Sequence, residues 1–345
     1  MMSTRVKPLI DITNPIFSDE EKAREHLEAQ RWPNGAVCPF CKKQETVHAL
    51  PAEAMMSKPS KKNPISKPTP GYYHCRACRK KFTVCTDTVM ERSHIPLAKW
   101  LLAFRMMATS KKGMSAHQLG RMLGLQYKSA WFLEMRIREA MTPAEEKSGP
   151  IGGGNKVVES DETYVGGKKK NVHNGKPEPK KHAVVTLVER DGEVRAKHIP
   201  NVTAKNVKEH LSASVDKASY LMTDESKVYI TVGKKFAGHM SVNHSQDEYV
   251  RLGGFVHVNS SESFHAIIKR QMYGTHHAVS EHHLQRYINE ISFKWNHRIA
   301  LGVDDTARTI AAIKGAEGKR LLSIGGLIQA SKLKGIKTSK GRPKT

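Results

Sequence analysis

Four of the five cysteines stand as two C-x-x-C pairs, Cys38-Pro-Phe-Cys41 and Cys75-Arg-Ala-Cys78, and no other feature restricts the backbone as tightly. Each pair presents two sulfurs to one point, and four thiolates around one ion are what a tetrahedral zinc site requires. Coordination filled entirely by protein leaves no position open to a substrate, so the expected ion is structural, one Zn2+ per chain. The 33 residues between the pairs exceed the usual spacing. The surplus falls in "PAEAMMSKPSKKNPISKPTPG", rich in Pro, Ser and Lys and unable to fill a core, which reads as a basic insert over 51–70. A redox C-x-x-C is the alternative. Cys85 is the odd thiol and is expected to be a small buried residue. An odd number of cysteines, mostly in such pairs, suits a reducing compartment better than a disulfide framework.

At 345 residues the chain exceeds one ordinary core and has room for two or three domains. Its formal net charge of +24 is self-repelling unless a polyanion neutralises it, and nucleic acid is the commonest such partner. A solubilising surface is the alternative. No apolar run approaches the roughly 18 residues of a membrane span. The opening "MMSTRVKPLIDITNPIF" lacks the hydrophobic stretch of a signal peptide. A cytoplasmic protein without a membrane partner is expected.

Residues 1–95 hold all the cysteines and one amphipathic stretch, "SDEEKAREHLEAQRW", with a Ser-x-x-Glu start at Ser18 and Glu21. Residues 96–145 turn helical, and "SAHQLGRMLG" and "YKSAWFLEMRIREAM", joined around Gly124, have the outline of a helix-turn-helix. Tyr127, Lys128 and Ser129 would open the second helix, where base edges are read. Trp131, Phe132, Met135 and Ile137 would pack inward. An ordinary globular helix pair is the alternative. After the linker "TPAEEKSGPIGGGNK", the region 155–300 shows three strand-like runs, with a hairpin turn at Asp191-Gly192, then a helix, a further strand and a long helical region over about 260–296. That order outlines a ribonuclease-H-like mixed α/β sheet. Residues 301–345 read as a basic tail, whose "GRP" between lysines hints at the minor groove. The fold class expected is multidomain α+β, with zinc ribbon, helix-turn-helix and ribonuclease-H-like parts in that order.

Three acids carry the chemical reading. Asp161 lies in the first strand of the sheet, Asp224 ends the fourth, and Glu262 opens a helix 38 positions later. Carboxylates converging on one point repel unless cations lie between them, and magnesium prefers such oxygen ligands. Glu262 has a plainer reading, because Asn259-Ser-Ser-Glu262 also fits a capping box. Glu162 faces away from Asp161 on a strand, and alternation does not say which of the two faces the site. Lys269 lies seven residues after Glu262, about 20° around the helix and about 10 Å along it, suited to a DNA phosphate.

The ordered set "CPFC", "CRACRKKFTV", "SHIPLAKWLLAF", "SAHQLGRMLGLQYKSAW", "DETYVGGK", "TDES" and "HVNSSESFHAIIKRQMYGTHHAVSEHHLQRYINEISFKWNHR" resembles the zinc-ribbon DDE transposases of bacterial insertion sequences, with an ISXO-type catalytic domain. The resemblance runs from about Trp32 to Arg298. It implies Asp161, Asp224 and Glu262 as catalytic ligands of Mg2+ or Mn2+, Lys269 as the helical lysine, and a ribonuclease-H-like fold. The expected function is binding of terminal inverted repeats followed by cleavage and strand transfer. The partners are transposon and target DNA, with a homo-oligomer formed on the DNA and a nucleoid-associated location in a bacterium. The long insert and the basic tail depart from the pattern. A DNA-binding regulator that has lost its chemistry and a repair or junction nuclease are the rival readings.

Overall fold

A computed structural model describes residues 11–57, 59, 64–143, 149–167 and 180–321, apart from the side chain of His244. Helix α1 (Glu20–Arg31) starts at Asp19, whose carboxylate accepts from Glu21 N and Lys22 N at 2.8 and 3.0 Å. The N-cap is therefore Asp19, and the Ser18–Glu21 box expected one residue earlier does not form. Strands β1 (Val47–Ala49), β2 (Tyr72–Cys75) and β3 (Lys80–Thr83) make an antiparallel sheet in that order. Trp32, Tyr73 and Phe82 pack their rings together over it, with centroids 5.2 to 5.8 Å apart. The ends of the insert form a narrow loop in which Met56 bridges to Pro68. Its residues 58 and 60–63 lie outside the described residues.

Helices α2 (Leu97–Thr109), α3 (Ala116–Leu123) and α4 (Tyr127–Ala140) follow. Ser115 caps α3, and Gly124 ends it in the left-handed region with φ 62°. Gly120 lets α3 and α4 close up, because a Cβ there would stand 2.9 Å from Leu125 O. Both Glu134 and Arg138 of α4 are fully buried.

The second part is a five-stranded sheet in the order β6-β5-β4-β7-β8, formed by β4 (Val157–Gly166), β5 (Lys181–Glu189), β6 (Val194–Ile199), β7 (Tyr220–Thr223) and β8 (Gly238–Ser241). Strands β4, β5 and β6 are antiparallel, while β7 and β8 run parallel to β4. Alternation along β5 makes it two-faced. Val185 and Leu187 pack with Val207 and Leu211 of α5 (Ala204–Ser214) and Val232 of α6 (Ile230–Gly233). Val184 and Val188 pack with Phe264 and Ile268 of α7 (Asn259–Gln271) and Ile288 and Ile291 of α8 (Glu281–Asn296).

Two expectations change. The long helical region is two helices, because α7 ends in a π-helical turn over Met272–His276 and His277 takes φ 61° before α8 starts. The region read as a tail contains α9 (Asp305–Lys314), capped by Asp304 and packed on α2, with Ala312 and Ile313 in the N-terminal core. Residues 322–345, with the "GRP" motif, lie outside the described residues. No helix among the described residues is long and apolar enough to cross a membrane.

Helix α4 belongs to both parts. Arg138 donates to Glu134 at 3.1 Å and to Glu290 of α8 at 2.7 Å, lies 3.9 Å over the Tyr287 ring, and shares Glu290 with Lys294. Burial works to raise Glu290, but the charges of Lys294 and Arg138 override it and hold the carboxyl at about 2. Glu134 goes the other way: burial outweighs Arg138 and pushes it up to about 7.

Candidate active site and metal centres

The four cysteines of the two pairs converge, with Cys38 Sγ 3.6 Å from Cys78 Sγ and Cys41 Sγ 3.6 Å from Cys75 Sγ. A regular tetrahedron with Zn–S bonds of 2.3 Å has edges of about 3.8 Å, so the thiol set fits zinc without rebuilding. The two knuckles share a backbone device, since the residues that follow them, Lys42 and Arg79, take φ of 60° and 57°. Cys85 stands apart from the set, half-buried, and burial pushes its thiol up to about 12.

Asp161 lies mid-way along β4, opposite Thr186 of β5. Strand β7 pairs with β4 only over Val157–Glu159 and ends at Thr223, which leaves the next stretch of β4 with an open edge. Asp224 emerges there. Asp161, Glu162 and Asp224 each place a carboxylate oxygen within 4.8 Å of the other two. Asp161 faces α7, while Glu162 faces Tyr229 on the other side of the sheet, and the two meet around that edge. Burial, followed by the charge of Asp224, pushes Glu162 up to about 7. Its Oε1 is buried with no hydrogen-bond partner among the described residues. An orphaned carboxylate oxygen between two further acids is a setting that a hard divalent cation relieves.

His265 of α7 closes one side of this group. Its Nδ1 lies 3.5 Å from Asp161 Oδ2, and its Nε2 is 2.8 Å from Thr186 Oγ1, which also donates to Asp161 O. Burial, assisted by the charge of Lys269, lowers His265 to about 4, so the ring is neutral at pH 7.

The start of α7 is held by Glu159 of β4 rather than by its own side chains. This fully buried carboxylate accepts from Ser260 N, Ser261 N and Ser260 Oγ at 2.8, 3.1 and 3.1 Å, and Arg190 Nε is 2.7 Å away. The expected Asn259–Glu262 capping box does not form. Val258 is the N-cap, without a side-chain bond, and Glu262 N donates to Val258 O as in any helix. The Glu262 side chain is exposed and makes no hydrogen bond or ion pair among the described residues. It lies outside the Asp161–Glu162–Asp224 group, three residues before His265 and so on that flank of the helix. Lys269 is exposed one turn beyond His265.

Residues 152–296, which span this sheet and its acids, match the model of the ISXO2-like transposase domain. Residues 18–81, which span the thiol cluster, match that of the transposase zinc-ribbon domain. These two matches give the chain the domain pair of a zinc-ribbon, ISXO2-like transposase. A relative of this transposase is an uncharacterized protein in transposable element ISH50 of Halobacterium salinarum (strain ATCC 700922 / JCM 11081 / NRC-1). That protein is 25% identical over 295 residues, which cover 81% of this chain and 91% of the relative. Among solved structures, the Mos1 transposase paired-end complex with left transposon end is 13% identical, with 62% of this chain and 74% of that chain covered. The TM-score of that match is 0.26.

In this transposase Tyr127, Lys128 and Ser129 stand exposed on the first turn of α4, with the Tyr127 ring stacked on His117 at 4.3 Å. Trp131 and Phe132, expected to pack inward, are only half-buried, one edge-on to His283 of α8 and the other beneath Arg136. Met135 and Ile137 are buried. Glu159 and His265 were missed by sequence reasoning, and Glu162 was weighed only as an alternative to Asp161. Glu159 had a readable signal, since it sits two positions before Asp161 and so shares its face of β4. That Glu162 joins Asp161 rather than replacing it, and that His265 closes the group, depends on where β7 stops and how α7 lies.

Proposed function

We propose that this transposase binds the terminal inverted repeats of its insertion sequence and catalyses divalent-metal-dependent strand cleavage and strand transfer. The observation that carries the reading is the convergence of Asp161, Glu162 and Asp224 at the open edge of β4, beside α7 and inside the matched transposase domain. A sheet of three antiparallel strands followed by two parallel ones supports a ribonuclease-H-like catalytic domain. Asp161 and Asp224 would hold magnesium or manganese, with Glu162 beside them and Glu262 reaching in from α7. Bound there, the metal supplies activation of the attacking oxygen and stabilisation of the leaving one.

The side chains divide the remaining work. Thr186 ties down the Asp161 backbone through its carbonyl, His265 packs beside its carboxylate, and the Glu159–Arg190 clamp fixes the first turn of α7 that carries Glu262. Lys269 would meet the DNA backbone one or two phosphates from the scissile one, as a positioning contact. The α3–α4 pair would act as the helix-turn-helix, presenting Tyr127, Lys128 and Ser129 to base edges. Both chemical steps are in-line displacements. Water attacks the phosphorus at the transposon end and the 3′ oxygen leaves, and the freed 3′ hydroxyl then attacks a phosphodiester of target DNA, forming a new P–O bond as the target strand's own 3′ oxygen leaves. Two ends must be handled together, which calls for more than one copy on the DNA. The working place is the cytoplasm, on the nucleoid.

The test uses the full chain and duplexes from the DNA flanking its gene. Magnesium should produce a nick at one defined position and joined products with a second duplex, and a chelator should abolish both. Cleavage that ignores the metal, or that falls equally on scrambled duplexes, would overturn the reading.

A further inference from the structure

We propose that His182, His198 and Glu281 form a second transition-metal site, distinct from the thiolate cluster and from the acidic site. Each residue comes from a different element: His182 from the start of β5, His198 from the end of β6, and Glu281 from the first position of α8. Val184 pairs with His198, so His182 lies diagonally across the two strands on the same face. One donor atom from each of the three lies within 4.8 Å of the other two. The rings meet edge to face with centroids 5.6 Å apart, and His182 Nδ1 is 3.8 Å from Glu281 Oε2. A tetrahedron with bonds near 2.1 Å has edges of about 3.4 Å, so small rotations of three side chains would close it on an ion. No backbone movement is required.

The surroundings favour an ion over an internal network. Neither imidazole makes a hydrogen bond to another side chain or to the backbone among the described residues. Both rings are half-buried and the Glu281 side chain is 40% exposed, so one side stays open for water as a further ligand. Lys180 Nζ lies 2.7 Å from Glu281 Oε2, an ammonium on the carboxylate where a metal cation would bind. With 69% of its side chain exposed, Lys180 is a weakly held competitor. Two imidazoles and one carboxylate select a borderline ion such as zinc or cobalt over magnesium.

The site is separate from the acids. His182 pairs with Val165, four residues along β4 from Asp161, which is about 13 Å at the rise of an extended strand. An ion there would staple the β5–β6 hairpin to the start of α8, at the end of the sheet away from β8.

The test is a cobalt titration of the full chain with its cysteine site already filled by zinc. We expect a visible spectrum from nitrogen and oxygen ligands without a thiolate charge-transfer band. Cobalt affinity should fall at least about tenfold in His182→Ala and in His198→Ala, in the range seen when metal-site residues are removed. Lys180→Met should tighten binding roughly two- to fivefold, the worth of a weak exposed ion pair. Cobalt held by Asp161 and Asp224 would not respond to the imidazole variants, so the difference reads this site alone. Glu281→Gln, an exposed change at a helix start, provides the same reading if a histidine variant fails to fold. Unchanged cobalt binding in His182→Ala, His198→Ala and Glu281→Gln would overturn the proposal.

Discussion

Two glutamates compete for the first turn of α7, and packing decides between them. Glu159 reaches the turn from a strand 101 positions away and takes Ser260 N and Ser261 N. Glu262, three places into the helix, is left exposed. A local capping pattern could not reveal this, because the partner that displaced it is distant in sequence and fully buried. The two residues therefore separate by substitution. Glu159→Gln should cost about 2–3 kcal/mol in urea unfolding, since Arg190 loses its charged partner and the helix start loses a carboxylate. Glu262→Ala should stay within about 0.5 kcal/mol of the parent, as for other surface changes. Equal losses for both would show that Glu262 is a cap after all.

At the scale of elements, the join between α4 and α8 was the least legible part of the chain. Periodicity marked both helices, but Arg138 and Glu290 are 152 positions apart and each alone looks like a solvated charge. The same holds for α9, whose "DTARTIAAIK" sits in a basic stretch and gains its meaning only from the face of α2 it covers. By contrast, the strands from β4 to β7 were readable from alternation and from the Asp191-Gly192 turn, while β8 was too short to show a pattern. Arg138→Leu should cost about 3–5 kcal/mol, because it leaves two buried carboxylates without their shared partner. Glu134 gives the pH test. Its folded value, raised to about 7 from an ordinary 4.5, means that the folded state holds a proton the unfolded chain has released. That contribution is complete below about 4.5 and is lost as pH rises through about 7. Glu134→Gln should therefore become more stable relative to the parent across that window in urea titrations at several pH values. A constant difference from pH 4.5 to 7 would contradict the assignment.

For the whole molecule, the shared α4 means that the surface proposed to read DNA and the sheet proposed to cut it form one packed body. A cut after residue 145 would therefore break both parts. Cut there, the chain would lose α8 and α9, strand Arg138 and Glu134 without Glu290, and uncover the core that Ala312 and Ile313 complete. Removing residues 303 onward should by itself lower the unfolding temperature by about 3 °C if α9 is worth about 2 kcal/mol to a chain this long. The excess of positive charge should make the affinity of the full chain for its repeats fall steeply with salt, with a log–log slope that counts the phosphates engaged. The same repeats test the central claim, that the acids at the open edge of β4 and on α7 perform metal-dependent strand cleavage. Asp161→Asn, Asp224→Asn and Glu262→Gln should each fold, bind the repeats as the parent does, and lose magnesium-dependent cleavage by several orders of magnitude. Cleavage near the parental rate by any of the three variants would contradict the account.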